Sequence, residues 1–157
     1  MESADDLVGF ELTYLLGMAF QLLLGEFVRR LDELGYEEVK PVHGMAFQVL
    51  KNGGATGTEL ASRLGITKQA VSVMVAQLEE MGYVERVDHP SGGRRQLIRL
   101  TEKATVHLDV AGRVLHDLEA ELTGRIGSMP VRILRMELAE MVWALSQGEI
   151  PPLRPVW

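Results

Sequence analysis

The sequence predicts a mainly α-helical, α+β fold in which four helices, one β-hairpin and two further helices follow one another. Apolar residues recur at helical spacing through most of the 157 residues, and the hydrophobic share of 46% is enough to form a core. Two short strand-like runs, YVERVD and RQLIRL, flank a Pro-Ser-Gly-Gly turn and predict the hairpin. The length fits one domain with flanking elements.

The first two helices are expected near residues 5–34 and 41–51. Apolar positions nearly encircle residues 12–28, which predicts a helix buried on several sides, and Gly35 ends it. A membrane span would need about 18 apolar residues, whereas the uncharged run stops at Glu26. The acidic start lacks the pattern of a secretory signal, so we expect a cytoplasmic protein without a membrane partner.

The third and fourth helices carry clear start signals. Thr56 and Glu59 form a capping box before a helix over residues 57–64. Gly65 closes that helix, and Thr67 is the expected cap of the next one, which runs to Met81.

The two C-terminal helices follow the hairpin. Thr101 opens the first of them, and the stretch from Gly127 to Pro130 is expected to separate it from the last helix. The tail, residues 151–157, is too rich in proline for regular helix. One side of the first of these helices is expected to carry Leu108, Ala111, Leu115, Leu118 and Leu122.

A helix pair followed by a hairpin is the plan of a winged helix-turn-helix. Ala61 is small where the two helices would cross, and Gly65 stands where the turn favours a positive φ. The alternative is an ordinary pair of antiparallel helices in a core, which shows glycine and apolar residues by chance. Apolar residues occupy the packing positions, namely Leu60, Leu64, Ile66 and Val71.

The fourth helix has two different faces when it is stepped at about 100° per residue. One face is neutral and mostly small, which would let its backbone approach the floor of a DNA groove, and a glutamine pairs well with an adenine edge. The alternative is a merely solvated face, although such faces usually carry more charge. The expected core face holds Val71, Met74, Val75 and Leu78, and the expected DNA-binding residues are Thr67, Lys68, Gln69, Ser72, Val73 and Ala76.

Charge is distributed so that a polyanion would meet the middle of the chain. The whole chain has a net charge of −6, but residues 55–103 hold seven basic and six acidic side chains. Arg94 and Arg95 lie at the hairpin tip, where a wing can enter the minor groove. We expect one of them to do so and the other to pair with Asp88 and brace the wing.

These residues carry a resemblance to the MarR family of bacterial transcriptional regulators. The matching stretch is ELASRLGITKQAVSVMVAQLEEMGYVER, followed by the wing and by LTEKA. The resemblance implies a DNA-binding domain over residues 41–103 and a helical dimerisation region over residues 1–40 and 104–150, followed by the tail. It also implies a homodimer that reads a palindromic operator, and a small phenolic or lipophilic effector that weakens DNA binding.

The sequence departs from the family at the wing and near the start of the following helix. Gly93 stands where an aspartate commonly precedes the arginine pair, and Ala104 stands where glycine is common. The candidate effector-binding residues come from the first two helices, although core packing explains the same residues. These residues are Tyr14, Met18, His43 and Phe47.

Several functions are not expected from this composition. The chain has no cysteine, which excludes disulfides and thiolate chemistry, and its four histidines lack metal-ligand spacing. No nucleophile with a nearby base is evident, so we expect neither an enzyme nor a cofactor or metal. Tyr83 is the only aromatic residue between residues 55 and 103, which favours double-stranded over single-stranded DNA. The sequence thus predicts a double-stranded DNA-binding regulator that acts as a ligand-responsive repressor, and the alternative is a winged-helix module that binds another protein.

Overall fold

A computed structural model describes residues 4–153, which divide into two compact units, residues 4–38 and residues 39–153. The predicted fold class is confirmed, because helices dominate and the two strands form one small antiparallel sheet. The elements are α1 (Ala4–Leu7), α2 (Leu12–Glu33), α3 (Pro41–Leu50), α4 (Gly57–Leu64), α5 (Lys68–Glu80), β1 (Val84–Asp88), β2 (Gln96–Leu100), α6 (Glu102–Ile126) and α7 (Ser128–Leu145).

The first unit contains two helices where the sequence predicted one. The chain leaves the helix after Leu7, and α2 starts after Glu11, whose backbone is extended and whose side chain makes no cap. Gly35, with a φ of 87°, ends α2 as expected. Leu31 is the one buried residue in the helix, so the expectation of a helix buried on several sides is wrong for a single copy.

Helix α2 carries an ion-pair network in its last turns. Glu26 accepts hydrogen bonds from Arg29 and from Arg30, and these bonds lower the pKa of Glu26 to about 2. By length and composition α2 is also the one helix in the described residues that is long and apolar enough to cross a membrane.

The core of the second unit contains three aromatic rings in mutual contact, from α3, from α6 and from the connection between α5 and β1. Phe47 of α3 lies 5.5 Å from Tyr83 and 5.7 Å from His107 of α6, measured between ring centroids. All three residues are buried, and His107 is only 2% exposed. Burial lowers the pKa of His107, which favours the neutral ring in this apolar setting.

The hairpin strands pair in register from Val84 with Leu100 to Asp88 with Gln96. Ahead of α4, Ala55 forms a bridge with Ile98 through two backbone hydrogen bonds of 3.0 and 2.9 Å. This bridge ties the base of the hairpin to the segment that starts α4.

Helices α6 and α7 differ in detail from the sequence expectation. The buried residues of α6 are Ala104, His107, Val114 and Leu118, whereas Leu115 is 54% exposed. Of the five residues predicted to share one side of this helix, Leu118 is thus buried and Leu115 is exposed. The break between α6 and α7 is shorter than expected, because Gly127 interrupts the helix with a φ of 95° and α7 begins at Ser128.

Pro130 lies in the first turn of α7, where a missing backbone N–H breaks no helical hydrogen bond. Of the tail, residues 151–153 form no helix or strand, and residues 154–157 lie outside the described residues. The domain boundaries given by the sequence stay predictions.

Candidate nucleic-acid interface

The turn between α4 and α5 has the geometry that the sequence predicted. The backbone N–H of Glu59 donates to Thr56 Oγ1 at 3.3 Å, and the N–H of Thr56 donates to Glu59 Oε2 at 2.8 Å. The N–H and the hydroxyl of Thr56 both donate to the Glu59 carboxylate, and these two bonds are the main reason that the pKa of Glu59 is lowered. Gly65 ends α4 with a φ of 67°, and Thr67 Oγ1 accepts a 3.1 Å hydrogen bond from the N–H of Ala70.

The two faces of α5 are as predicted. Its core face is buried against the rest of the second unit, and its opposite face is open to solvent. The open face carries no acidic side chain until Glu79 and Glu80 at the far end. All six predicted DNA-binding residues of this region are exposed, namely Thr67, Lys68, Gln69, Ser72, Val73 and Ala76.

The wing tip is held by His89 rather than by an aspartate–arginine pair. His89 Nδ1 accepts a 3.1 Å hydrogen bond from the N–H of Ser91, and its carbonyl accepts one of 2.8 Å from Gly92. Gly92 and Gly93 have φ values of 74° and 83°, a region that strains other residues. An aspartate at position 93 would therefore be disfavoured in this wing.

The expected brace from Asp88 is absent, and that expectation is wrong. Within residues 4–153 neither Arg94 nor Arg95 forms an ion pair with a carboxylate. Asp88 instead lies opposite Gln96 in the ladder. Both guanidinium groups are thus exposed at the tip and available to a phosphate or a groove.

Arg86 forms the brace that does exist, and no pattern in the sequence predicted it. Its Nε lies 3.2 Å from Glu79 Oε2, so strand β1 is joined to the last turn of α5. The alternation of residues in a strand indicates which face Arg86 is on, but it does not indicate a partner seven positions earlier in the chain.

A cleft of about 670 Å³ lies between the start of α4, the open side of α5 and the wing. Its charged lining consists of four cationic side chains, one carboxylate and a histidine, so the field in the cleft favours an anion. The cleft thus brings the predicted helix residues Lys68 and Ser72 together with the predicted wing arginines. The four cations, the carboxylate and the histidine are Lys68, Arg86, Arg94, Arg95, Glu59 and His89.

A second cavity of about 600 Å³ lies on the other side of α5, against α3. It is lined by three of the predicted DNA-binding residues, Thr67, Gln69 and Val73, and by His43. Helix α5 therefore lies between two hollows: Lys68 and Ser72 line the first, and Gln69 and Val73 line the second.

The four candidate effector residues are distributed over the two units. Tyr14 is exposed and Met18 is half-buried on α2, in the first unit. In the second unit, Phe47 is fully buried among aromatic rings, and His43 Nδ1 accepts a 3.1 Å hydrogen bond from the N–H of Lys40. Burial first, and the charge of Lys40 second, lower the pKa of His43. Core packing and helix capping thus account for Phe47 and His43, and an effector site at these four residues stays a prediction.

The exit of α5 is fastened to the start of α6. Lys103 Nζ donates a 2.8 Å hydrogen bond to the carbonyl of Met81 and lies 4.2 Å from the centroid of the Tyr83 ring. Thr101 Oγ1 donates to the carbonyl of Gly82 at 2.7 Å. These contacts fix the end of α5 relative to α6, a role that helical spacing alone did not reveal.

A tri-helical core, a capped helix pair with a left-handed glycine between its helices, and a cationic wing define a winged helix-turn-helix DNA-binding protein. The MarR family profile matches residues 39–95. An HTH-type transcriptional regulator of Mycobacterium bovis is 31% identical over 101 residues, which cover 64% of this chain and 70% of that protein. The chain belongs to the MarR family of transcriptional regulators.

Solved structures show the same fold at lower identity. MepR, a transcription regulator of the Staphylococcus aureus multidrug efflux pump MepA, is 19% identical with a TM-score of 0.71, over 87% of this chain and 99% of that one. The repressor CouR, solved on a 23-mer DNA duplex, is 24% identical with a TM-score of 0.69, over 93% and 99%. The chain is accordingly a DNA-binding transcriptional regulator, in a family whose members are generally not enzymes.

Proposed function

We propose that this protein is a homodimeric, effector-responsive repressor that binds a palindromic operator in double-stranded DNA. The observation that carries the proposal is that Lys68 and Ser72, from the open face of α5, line one cleft together with the two exposed arginines of the wing. A neutral surface of small side chains suits a groove floor, and arginines suit the phosphate-lined groove beside it.

In this proposal the open face of α5 enters the major groove and the wing reaches the adjacent minor groove. The leading end of α5 carries Thr67 and Lys68, whereas its acids lie at the trailing end, away from the phosphates. Gly92 and Gly93 leave the wing tip without side-chain bulk, so that Arg94 and Arg95 approach the backbone closely.

A second copy of the chain is the occupant that we propose for the exposed apolar helices. Helix α7 has no buried residue, and Met129, Ile133 and Trp143 are among its exposed side chains. On α2, Leu12 and Leu22 are exposed in the same way. Helices that expose so many large apolar side chains are costly in water, and such faces are typical of dimer interfaces. The ion pairs of Glu26 favour a protein interface over a membrane for α2, because charges are expensive in a bilayer.

A dimer of this kind would present its two α5 helices to half-sites about 34–36 Å apart, one turn of DNA. A small phenolic or lipophilic effector would act by binding preferentially to a dimer in which that spacing is lost. The protein acts in the cytoplasm in this proposal, where it meets both the operator and the effector.

Duplex binding measured at several salt concentrations tests the proposal. We expect steep salt dependence, and we expect the slope of log K against log [salt] to fall by about 0.9 for each wing arginine that contacts a phosphate. Arg94→Ala and Arg95→Ala test this directly. Arg113→Ala is the matched control, because Arg113 is exposed on α6 outside the cleft.

Two results would contradict the proposal. Salt-insensitive association with another protein, unchanged in both wing variants, would favour the interaction module instead. Sedimentation as a monomer at micromolar concentration would contradict the proposed homodimer, and with it the proposed binding to a palindromic operator.

A further inference from the structure

Val73 is unusual among the residues of the open face of α5. It is 55% exposed in the middle of the helix, with Gln69 one turn before it and Gln77 one turn after it. Valine is a weak helix former because its branched side chain loses rotamer freedom. Neither core packing nor helix stability therefore explains an exposed valine at this position.

The surroundings of Val73 restrict what an apolar side chain can meet there. Ser72 and Ala76 lie beside it on the same face and are short, so that the valine projects beyond them. The glutamine amides one turn away on either side can each pair with an adenine edge. On the edges of the major groove, the C5-methyl group of thymine is the apolar feature that base pairs present.

The spacing along the helix agrees with readout of neighbouring base pairs. Four residues advance an α-helix by about 6 Å, and successive bases along one strand are about 3.4 Å apart. A glutamine and Val73 would thus reach bases about two steps apart if α5 follows the groove.

We propose that Val73 is a specificity-determining residue that packs against the C5-methyl group of a thymine in each half-site. The inference rests on the proposed function, because it requires α5 to lie in the major groove. It adds that the operator has an A·T pair at the position that Val73 faces, with the thymine methyl directed toward the helix.

Replacing thymine by deoxyuridine tests the inference, because this change removes only the methyl group. The probe is the tightest-binding duplex selected from a random pool, with each thymine replaced in turn, and the proteins are the full chain and its Val73→Ala variant. At one thymine per half-site, deoxyuridine should weaken binding by the full chain about fourfold, equivalent to about 0.8 kcal/mol for one buried methyl group. The same change should leave binding by Val73→Ala unaltered, since the partner of the methyl group is gone.

Val106→Ala is the matched control. Val106 is 50% exposed on α6, so the variant loses the same atoms from a similarly exposed helical site. It should keep the pattern of the full chain, and all three proteins should melt at similar temperatures.

The outcomes separate this inference from the function on which it rests. If a duplex is selected but no thymine shows coupling to Val73, the inference is overturned and the proposed function stands. If no duplex is enriched at low salt, both are overturned.

Discussion

Lowering the pH from 7.5 to 5.5 is expected to destabilise the second unit through His107. The ring is 2% exposed and is enclosed by Phe47 and Tyr83, and burial lowers its pKa. The unfolded chain takes up a proton below its ordinary pKa of about 6.5, whereas the folded chain does not. The contribution of His107 to the free energy of unfolding is therefore fully present above pH 6.5. It is lost progressively as the pH falls from there toward the lowered pKa of the folded state.

The magnitude follows from proton linkage. A histidine that stays neutral when folded costs up to about 1.4 kcal/mol of stability between pH 7.5 and 5.5. His43, whose pKa is lowered for the same main reason, adds up to the same amount. Both contributions are large beside a typical total stability of about 5–15 kcal/mol.

Urea unfolding at both pH values, at one fixed protein concentration, measures the effect. His107→Gln should lose less stability between the two pH values than the unmodified chain, by up to about 1.4 kcal/mol. His116→Gln is the matched control, because it makes the same replacement at an exposed position on α6. An equal loss of stability in His107→Gln and the unmodified chain would refute the reasoning.

Three further changes test contacts around the interface. In urea unfolding, Gly54→Ala should destabilise the protein by about 1–3 kcal/mol more than Gly53→Ala. Both glycines have a positive φ, but a Cβ at position 54 alone would lie 2.5 Å from a carbonyl oxygen of β2. Equal losses would show that this close approach is unimportant. Thr67→Ala should cost about 1 kcal/mol of unfolding free energy through loss of the α5 cap, and an unchanged urea midpoint would contradict that role. Lys103→Met should lower the free energy of unfolding by about 1 kcal/mol, because the hydrogen bond to the Met81 carbonyl is lost. Lys103→Arg keeps a charged donor and should lose less. Equal losses in the two variants would argue against a contribution from this bond.

Sequence signals that act over a few residues predicted the helix pair well. The cap at Thr56, the left-handed turn at Gly65 and the cap at Thr67 each depend on neighbours within four positions. The inward and outward faces of α5 followed from helical period alone. The placement of the DNA-binding residues on an exposed face was thus predictable, although their contact with DNA stays a prediction.

Contacts between distant positions were not predictable in the same way. The brace that forms joins Arg86 to Glu79, and the one that was expected from Asp88 is absent. The choice depends on how the hairpin lies on α5, which no local spacing encodes. His107 was not predicted as a core residue, although the helical period places it on the same face as the buried Ala104.

The bridge between Ala55 and Ile98 has a consequence for how wings of different length arise on this scaffold. The bridge anchors the hairpin at Ile98, the middle residue of β2, while residues 89–95 lie beyond the paired strands. Insertions or deletions in that outer loop would change the reach of the arginines and leave the anchored base untouched. The distance that the wing arginines reach and the attachment of the hairpin to the helix pair can thus vary independently. A change in loop length alone would adapt the wing to grooves of different depth.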